Sequence, residues 1–311
     1  MLTADQIVAQ ARILANIPEY PSTITSDLLT LADLETETII VPMIMSLREE
    51  FFVKQTSQAF TASVSEYVIP YRAIGRKLRD IHFLNSSNNE IELTRVSMEY
   101  AYEFTNNQTT GDPRGVYFLG DTYTVVPSVG TAPTGSLKLW YYLRPSKLTL
   151  VANCARITAI DTTTGMLTCS SVPSTITTAT LVDLVAGRSG NSCLGQDLTI
   201  TNIAGNIITI APGDLPSRLA IGDYISLAET TPVPQIPSEM HSALVQAVTV
   251  RWLSTQTDSE GKARAMEELK AIYDSCKALL SQRLEGAPKI LINRHGLLRT
   301  GTRRRFFGTG V

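Results

Sequence analysis

The alternation of apolar and polar positions changes character three times along this chain. Near the N-terminus, Ile7, Ala11, Leu14 and Ala15 recur at helical spacing, which predicts a short helix over residues 3–16, stopped by Pro18 and Pro21. A longer helix follows. Thr25 is placed to cap it, Asp27 lies in its first turn, and Leu28, Leu31, Ala32, Ile39, Ile40, Met43, Ile44 and Leu47 give it a broad apolar side. Roughly 22 residues make about 33 Å of helix, a rod that needs other helices to cover it. Pro42 falls inside the pattern, where it removes an N–H and crowds the preceding turn, so a kink or break is expected there.

From residue 51 the period shortens. Glu66–Ile69, Arg79–Leu84, Val116–Leu119, Thr122–Val126 and Ser136–Leu143 read as strands, with a helical turn or two at Thr94–Phe104. Residues 150–230 are poor in charge and rich in Thr, Ile and Val. Two hairpins are legible in them: Arg156–Ile160 with Met166–Ser170 around the turn 161–165, and Leu198–Ile203 with Ile207–Ala211 around the turn 204–206.

Pro232, Pro234 and Pro237 mark the return to helix, with Pro237 suited to the first helical position and Glu239 to the first turn. Met240, Leu244, Ala247 and Val248 share one face. A last helix carries Met266, Leu269, Tyr273, Cys276 and Leu280 at spacings of three and four, a packing seam. The short connection between these helices makes them antiparallel neighbours. The fold class expected is therefore α+β: an antiparallel helical bundle from the N- and C-terminal segments, a β-rich middle and an inserted small β-domain. Residues 1–149 and 231–284 form the helical core with its β-extension, 150–230 the inserted β-domain, and 285–311 a basic extended C-terminal arm.

Composition narrows the function classes. With 43% hydrophobic and 18% charged residues over 311 positions, the chain is neither disordered nor a salt-laced rod. A net charge of −2 argues against a surface that binds nucleic acid throughout. The charge is unevenly placed, however, at −6 over residues 1–50 and +5 over residues 285–311. The N-terminus lacks the apolar run of a signal peptide and no stretch approaches the roughly 20 apolar residues of a membrane span, so a soluble protein made in a cytoplasm is expected, with no membrane partner.

Candidate chemistry is sparse. Cys154, Cys169, Cys193 and Cys276 show no metal-ligand spacing and read as free thiols. His82, His241 and His295 stand apart from one another and read as structural or surface residues. Asp33, Glu35 and Glu37, and the pair Glu49-Glu50, read as solvated acidic helix faces, while Asp121 and Asp223 are single acids in turns. No nucleophile, phosphate-loop or metalloprotease motif is present, so neither catalysis nor a cofactor is expected. The tail is the exception. Lys289, Ile290, Leu291, Ile292, Arg294, Arg299, Arg303, Arg304, Arg305, Phe306 and Phe307 lie among glycines, unable to make a core alone, and read either as a disordered basic tail or as an arm that folds onto a partner or touches nucleic acid phosphates. The segment 289–293 alternates as an added edge strand does, the arginines suit acidic groups, and the two phenylalanines suit a protein groove.

Four segments, Tyr67–Asp80, Gly115–Asp121, Gly135–Pro145 and Val233–His241, together with the helical ends and the basic tail, resemble the head-to-tail adaptor (head completion) proteins of tailed bacteriophages. The resemblance runs over nearly the whole chain, except that the insert at 150–230 is absent from minimal adaptors. It implies a structural virion protein of the neck: a homo-oligomeric ring, usually of twelve copies, that docks under the portal protein after DNA packaging and presents a surface to tail or neck proteins. Genomic DNA would pass through its channel without sequence-specific binding, and the C-terminal arm would grip the portal. The acidic first 50 residues could then supply a channel wall that does not hold phosphates. A different reading is a nucleic-acid-binding protein whose basic tail neutralises phosphates. An enzyme acting through the insert would need clustered acids or histidines, which 150–230 lacks.

Overall fold

The computed structural model describes residues 1–17, 22–61, 64, 66–101, 112–126, 135–187, 193–256 and 259–281, and they form an α+β fold. Thr3 opens α1 (Ala4–Leu14) with a reciprocal cap: its hydroxyl accepts from the Gln6 N–H, and the Gln6 side chain accepts from the Thr3 N–H at 3.0 Å. The helix buries Ala4, Ile7, Val8 and Ala11. It stops at Asn16, which turns left-handed (φ 50°) while the Ile17 N–H bonds back to the Arg12 carbonyl, so an asparagine ends it ahead of the prolines.

The second helical rod runs through α2 (Ser22–Glu35), a π-helical turn (Thr36–Ile40) and α3 (Val41–Arg48). Thr25 lies inside α2 and does not cap it; its hydroxyl accepts from Arg12 Nη2 at 2.6 Å and ties α1 to α2. Pro42 produces no break. The turn before it widens, with the Val41 N–H reaching the Thr36 carbonyl five residues back, and the rod continues.

A 3-10 turn (Glu49–Phe52) leads into strands β1 (Val53–Phe60), β2 (Glu66–Val68), β3 (Ala73–Asn85), β4 (Glu90–Glu92), β5 (Thr94–Arg95), β6 (Gly115–Leu119), β7 (Thr122–Val126) and β8 (Gly135–Leu143). They make two four-stranded sheets, ordered β1-β8-β3-β4 and β2-β7-β6-β5. Both contribute to one core, in which Phe60, Phe83, Tyr123, Leu137 and Leu139 are buried. Gly135 is needed where β8 meets β3, because a Cβ there would lie 2.3 Å from the Leu84 carbonyl oxygen. Thr94 and Arg95 are in a strand; only residues 98–101 of the expected Thr94–Phe104 turn are described as helical.

Strand β9 (Lys147–Leu148) pairs parallel with β16 (Thr230–Thr231), so the chain enters and leaves the intervening segment side by side. Between them lie β10 (Ala155–Asp161), β11 (Met166–Cys169), β12 (Leu181–Val185), β13 (Cys193–Ala204), β14 (Ile207–Ile210) and β15 (Tyr224–Leu227). These close into a barrel in the order β10-β11-β14-β13-β12-β15 around Ile157, Leu167, Val182, Leu184, Ile208 and Ile225. Both expected hairpins are present, and their turns use Gly165 (φ 75°) and Gly205 (φ 61°).

After a 3-10 turn at Ser238–Met240, which replaces the helical start expected at Pro237, α4 (His241–Thr255) and α5 (Ser259–Leu280) return to the first helices. Ile7, Leu28, Ile44, Met240, Leu244 and Leu280 share a core drawn from both ends of the described chain. The seam expected on α5 is half right. Cys276 and Leu280 are buried, whereas Met266 is 52% exposed and Ala265 is buried in its place.

Candidate functional site

The arm residues singled out by the sequence, Lys289, Ile290, Leu291, Ile292, Arg294, Arg299, Arg303, Arg304, Arg305, Phe306 and Phe307, lie outside the described residues. Among the described residues no group of three His, Cys, Asp or Glu is placed to hold a metal ion. All four cysteines are buried free thiols.

The acids of α2 need correction. Asp33, Glu35 and Glu37 do not make one solvated face: Asp33 and Glu37, four residues apart, share a side of the rod, while Glu35 between them points to the other. Glu35 is 3% exposed and forms an ion pair with Arg251 of α4. Asp33 accepts from the Leu148 N–H at 2.8 Å, and burial, despite that bond, pushes its carboxyl up to about 6. Only Glu37 is exposed. Asp223 is likewise a buried turn acid, accepting from the Gly187 and Ala220 N–H groups at 3.0 and 2.8 Å.

The most concentrated polar arrangement joins the barrel to the strand layer. Arg72, in the turn between β2 and β3, is 5% exposed and donates through Nη2 to Asp183 Oδ2 of β12 at 2.8 Å. Asp183 is fully buried and also accepts from the Asp197 and Glu229 N–H groups at 3.0 and 3.1 Å. Burial works against the Arg72 charge, but the hydrogen bond and the charge of Asp183 outweigh it and hold the guanidinium above its ordinary pKa. Tyr71 donates to Asp197 Oδ1 at 2.7 Å, Tyr141 donates to Gln196 Oε1 at 2.9 Å, and Lys54 Nζ donates to the Cys193 carbonyl. An open cleft of about 400 Å³ lies over these groups. Arg72 and Asp183 stand 111 residues apart, and no local pattern signals their pairing.

A second cleft, of about 450 Å³, runs between α4 and α5, with Glu35 and Ile39 at one side. Its α5 wall carries Lys262, Met266, Lys270, Tyr273 and Lys277, and Arg251 reaches in from α4. Burial, with Glu35 nearby, pushes the Tyr273 hydroxyl up to about 12.

His241 couples the chain ends. Its Nδ1 accepts from the Leu2 N–H at 2.9 Å, so the neutral ring carries its proton on Nε2. Desolvation lowers its pKa to about 4. Nearby, the Ala4 N–H bonds to the Pro232 carbonyl at 2.8 Å.

No family model matches this chain, and neither does any curated protein.

Proposed function

We propose that this chain is a structural virion protein, a head-to-tail adaptor whose copies form a ring, of twelve by the resemblance, between the portal and the tail of a bacteriophage. In this reading the helices form an antiparallel bundle, the barrel is an inserted domain, and the arm from about Ala287 holds the portal. The observation that carries it is the meeting of both ends of the described chain in one apolar core: Ile7 and Leu28 pack with Leu244 and Leu280, while the strands are looped out between them. That arrangement supports the likeness of the four quoted segments to adaptors, because it gives each copy a rigid helical body and separate β surfaces for other partners. The protein has no catalytic role in this reading and binds no cofactor.

Electron microscopy of purified particles, with antibody labelling against the barrel, tests the proposal. Label at the neck is expected, as is retention on DNA-filled heads that fails when the chain is cut after Gly286. Full retention of the truncated chain would show that the arm plays no part in docking. Absence of the protein from particles would sink the proposal. Salt-dependent DNA affinity that vanishes with residues 285–311 would favour a nucleic-acid-binding protein instead.

A further inference from the structure

The barrel is held to the strand layer chiefly by polar groups. Among the described residues Cys193 is the one barrel side chain buried in the core of the two sheets, and the barrel core takes no side chain from them. The rest of the seam consists of the bonds made by Arg72, Tyr71, Tyr141 and Lys54. A polar contact of this kind leaves relative motion of the two parts as the default. The seam is also narrow at its centre, because Arg72 lines a cleft on either side: the one of about 400 Å³ beside Lys54, Tyr71 and Gln196, and another of about 160 Å³ beside Arg144, Lys147 and Glu229.

Two residues that bond to Asp183 have left-handed backbone although neither is glycine. The register of β12 with β13 slips at this point, so that Gln196 and Asp197 together stand opposite Asp183, and Asp197 takes φ 52°. Glu229, in the turn between β15 and β16, takes φ 63°. Their N–H groups go to the two oxygens of one buried carboxylate, Asp197 to Oδ1 and Glu229 to Oδ2 of Asp183. The Glu229 carbonyl accepts in turn from the Lys147 N–H of β9 at 2.9 Å, where the chain enters the barrel. Left-handed backbone is strained for a residue with a Cβ and persists only where its surroundings hold it. Asp183 holds both residues, and Arg72 holds Asp183 through a single nitrogen. Nη2 is 2.8 Å from Asp183 and 3.5 Å from Asp197, while Nε and Nη1 have no partner among the described residues.

We propose that Asp183 is a clasp that couples docking of the barrel to the backbone of two of its loops, and that the barrel leaves the strand layer as a folded unit when the Arg72 bond opens. While the clasp is closed, the guanidinium neutralises the carboxylate and the carboxylate fixes Asp197 and Glu229. Once Arg72 withdraws, water enters from the two clefts and solvates the carboxylate, and both residues relax from the left-handed region. The barrel then turns about β9 and β16, two residues each, through which the chain enters and leaves it. The strain released on opening offsets part of the cost of parting a buried ion pair, so the docked and open states lie closer in free energy than the burial of Arg72 alone would place them. This conformational device does not depend on the adaptor reading.

Residue-resolved amide exchange on the full chain tests it. The Asp197 and Glu229 amides should share one protection factor, at least tenfold below that of the hydrogen-bonded amides of β11 and β14, because opening the clasp leaves the barrel folded. Arg72→Gln should lower both by the same factor, about tenfold or more, and leave β11 and β14 unchanged. Glu229→Gly should raise the protection of Asp197 about threefold, since glycine adopts φ 63° without strain and the gain reaches Asp197 through the shared carboxylate. Spin labels at Ser57→Cys and Thr163→Cys, both exposed, should report one distance with Arg72 present and a second population with Arg72→Gln; the four native cysteines are buried and stay unlabelled. Exchange of Asp197 and Glu229 only together with β11 and β14 overturns the proposal. Unequal responses of these two amides to Arg72→Gln, or a single unchanged label distance in that variant, do so as well. Where Arg72→Gln fails to fold, the exchange of the unaltered chain and of Glu229→Gly decides, and an Asp197 amide indifferent to Glu229→Gly overturns the coupling.

Discussion

The barrel and the helical layer hold themselves together in different ways. The barrel core comes from one continuous stretch, Ala155 to Ile225, and three of its six strand pairs join neighbours in sequence, two of them across tight hairpin turns. The helical core draws on residues from Ala4 to Leu280 and exists only once the chain has returned from the strands that lie between Val53 and Thr231. One region is organised within a single stretch of chain and the other by closure between distant stretches. The barrel core is thus contained in one stretch of sequence, while the helical core depends on the joining of its two ends.

Excision sharpens that comparison most. A chain in which a short Gly-Ser linker replaces residues 150–230 should keep its helical circular dichroism and melt cooperatively, because Thr149 and Thr231 already lie hydrogen-bonded to each other at 2.9 Å. Collapse of the helical signal would mean that the barrel is part of the helical fold and not separable from it.

The polar seam between the regions comes next. Asp183→Ala leaves the buried Arg72 with only the longer contact to Asp197 at 3.5 Å, and urea unfolding of the full chain should register a loss of about 3 kcal/mol or more. In an isolated barrel fragment, which lacks Arg72, the same change removes only two backbone partners and should cost less, about 1–3 kcal/mol. Equal losses in both settings would show that the pair does not couple the regions.

Acid discriminates further, because His241 and Asp33 both belong to the helical layer. His241 is held neutral with a pKa near 4 against an ordinary 6.5. Its stabilising effect is thus present above pH 6.5 and is lost as the pH falls towards 4. Asp33 works in the opposite sense: raised from 3.8 to about 6, it favours the folded state most below pH 3.8, and that contribution disappears as the pH rises through 6. Asp33→Asn keeps an acceptor for the Leu148 N–H and removes the opposing slope. Denaturant midpoints of this variant should therefore fall more steeply than those of the wild type between pH 6.5 and 4. Parallel curves would show that Asp33 does not titrate in that range.

The smallest effect expected is at the N-terminal cap. Thr3→Ala should destabilise the full chain by about 1 kcal/mol and leave the barrel fragment, which does not contain it, unaffected.

The two regions also differed in how much could be read in advance. Both barrel hairpins announced themselves through β-branched runs around Gly165 and Gly205, since a turn and its flanking strands occupy one short window. Strand β1 gave no such signal: Lys54-Gln-Thr-Ser-Gln58 is polar, and it is a strand because β8 offers it an in-register edge. The helices were visible by period, yet Met266 read as core and is exposed. Period locates an apolar side to within about a residue, and the facing helix decides which part of that side is covered. The arm residues from Lys289 to Phe307, where the sequence concentrated its functional signal, fall outside the described residues, so their role rests on sequence alone.

Element type along most of the chain, the turn glycines and the uneven charge follow from the residues themselves, because each depends on interactions within a few positions. The pairing of Arg72 with Asp183, of Glu35 with Arg251 and of Leu2 with His241 was settled only in three dimensions. Their separations of 111, 216 and 239 residues leave no local trace. A buried charge or ring finds its partner through the topology that surrounds it, and that topology is the sum of many weak apolar contacts that no single window of sequence contains.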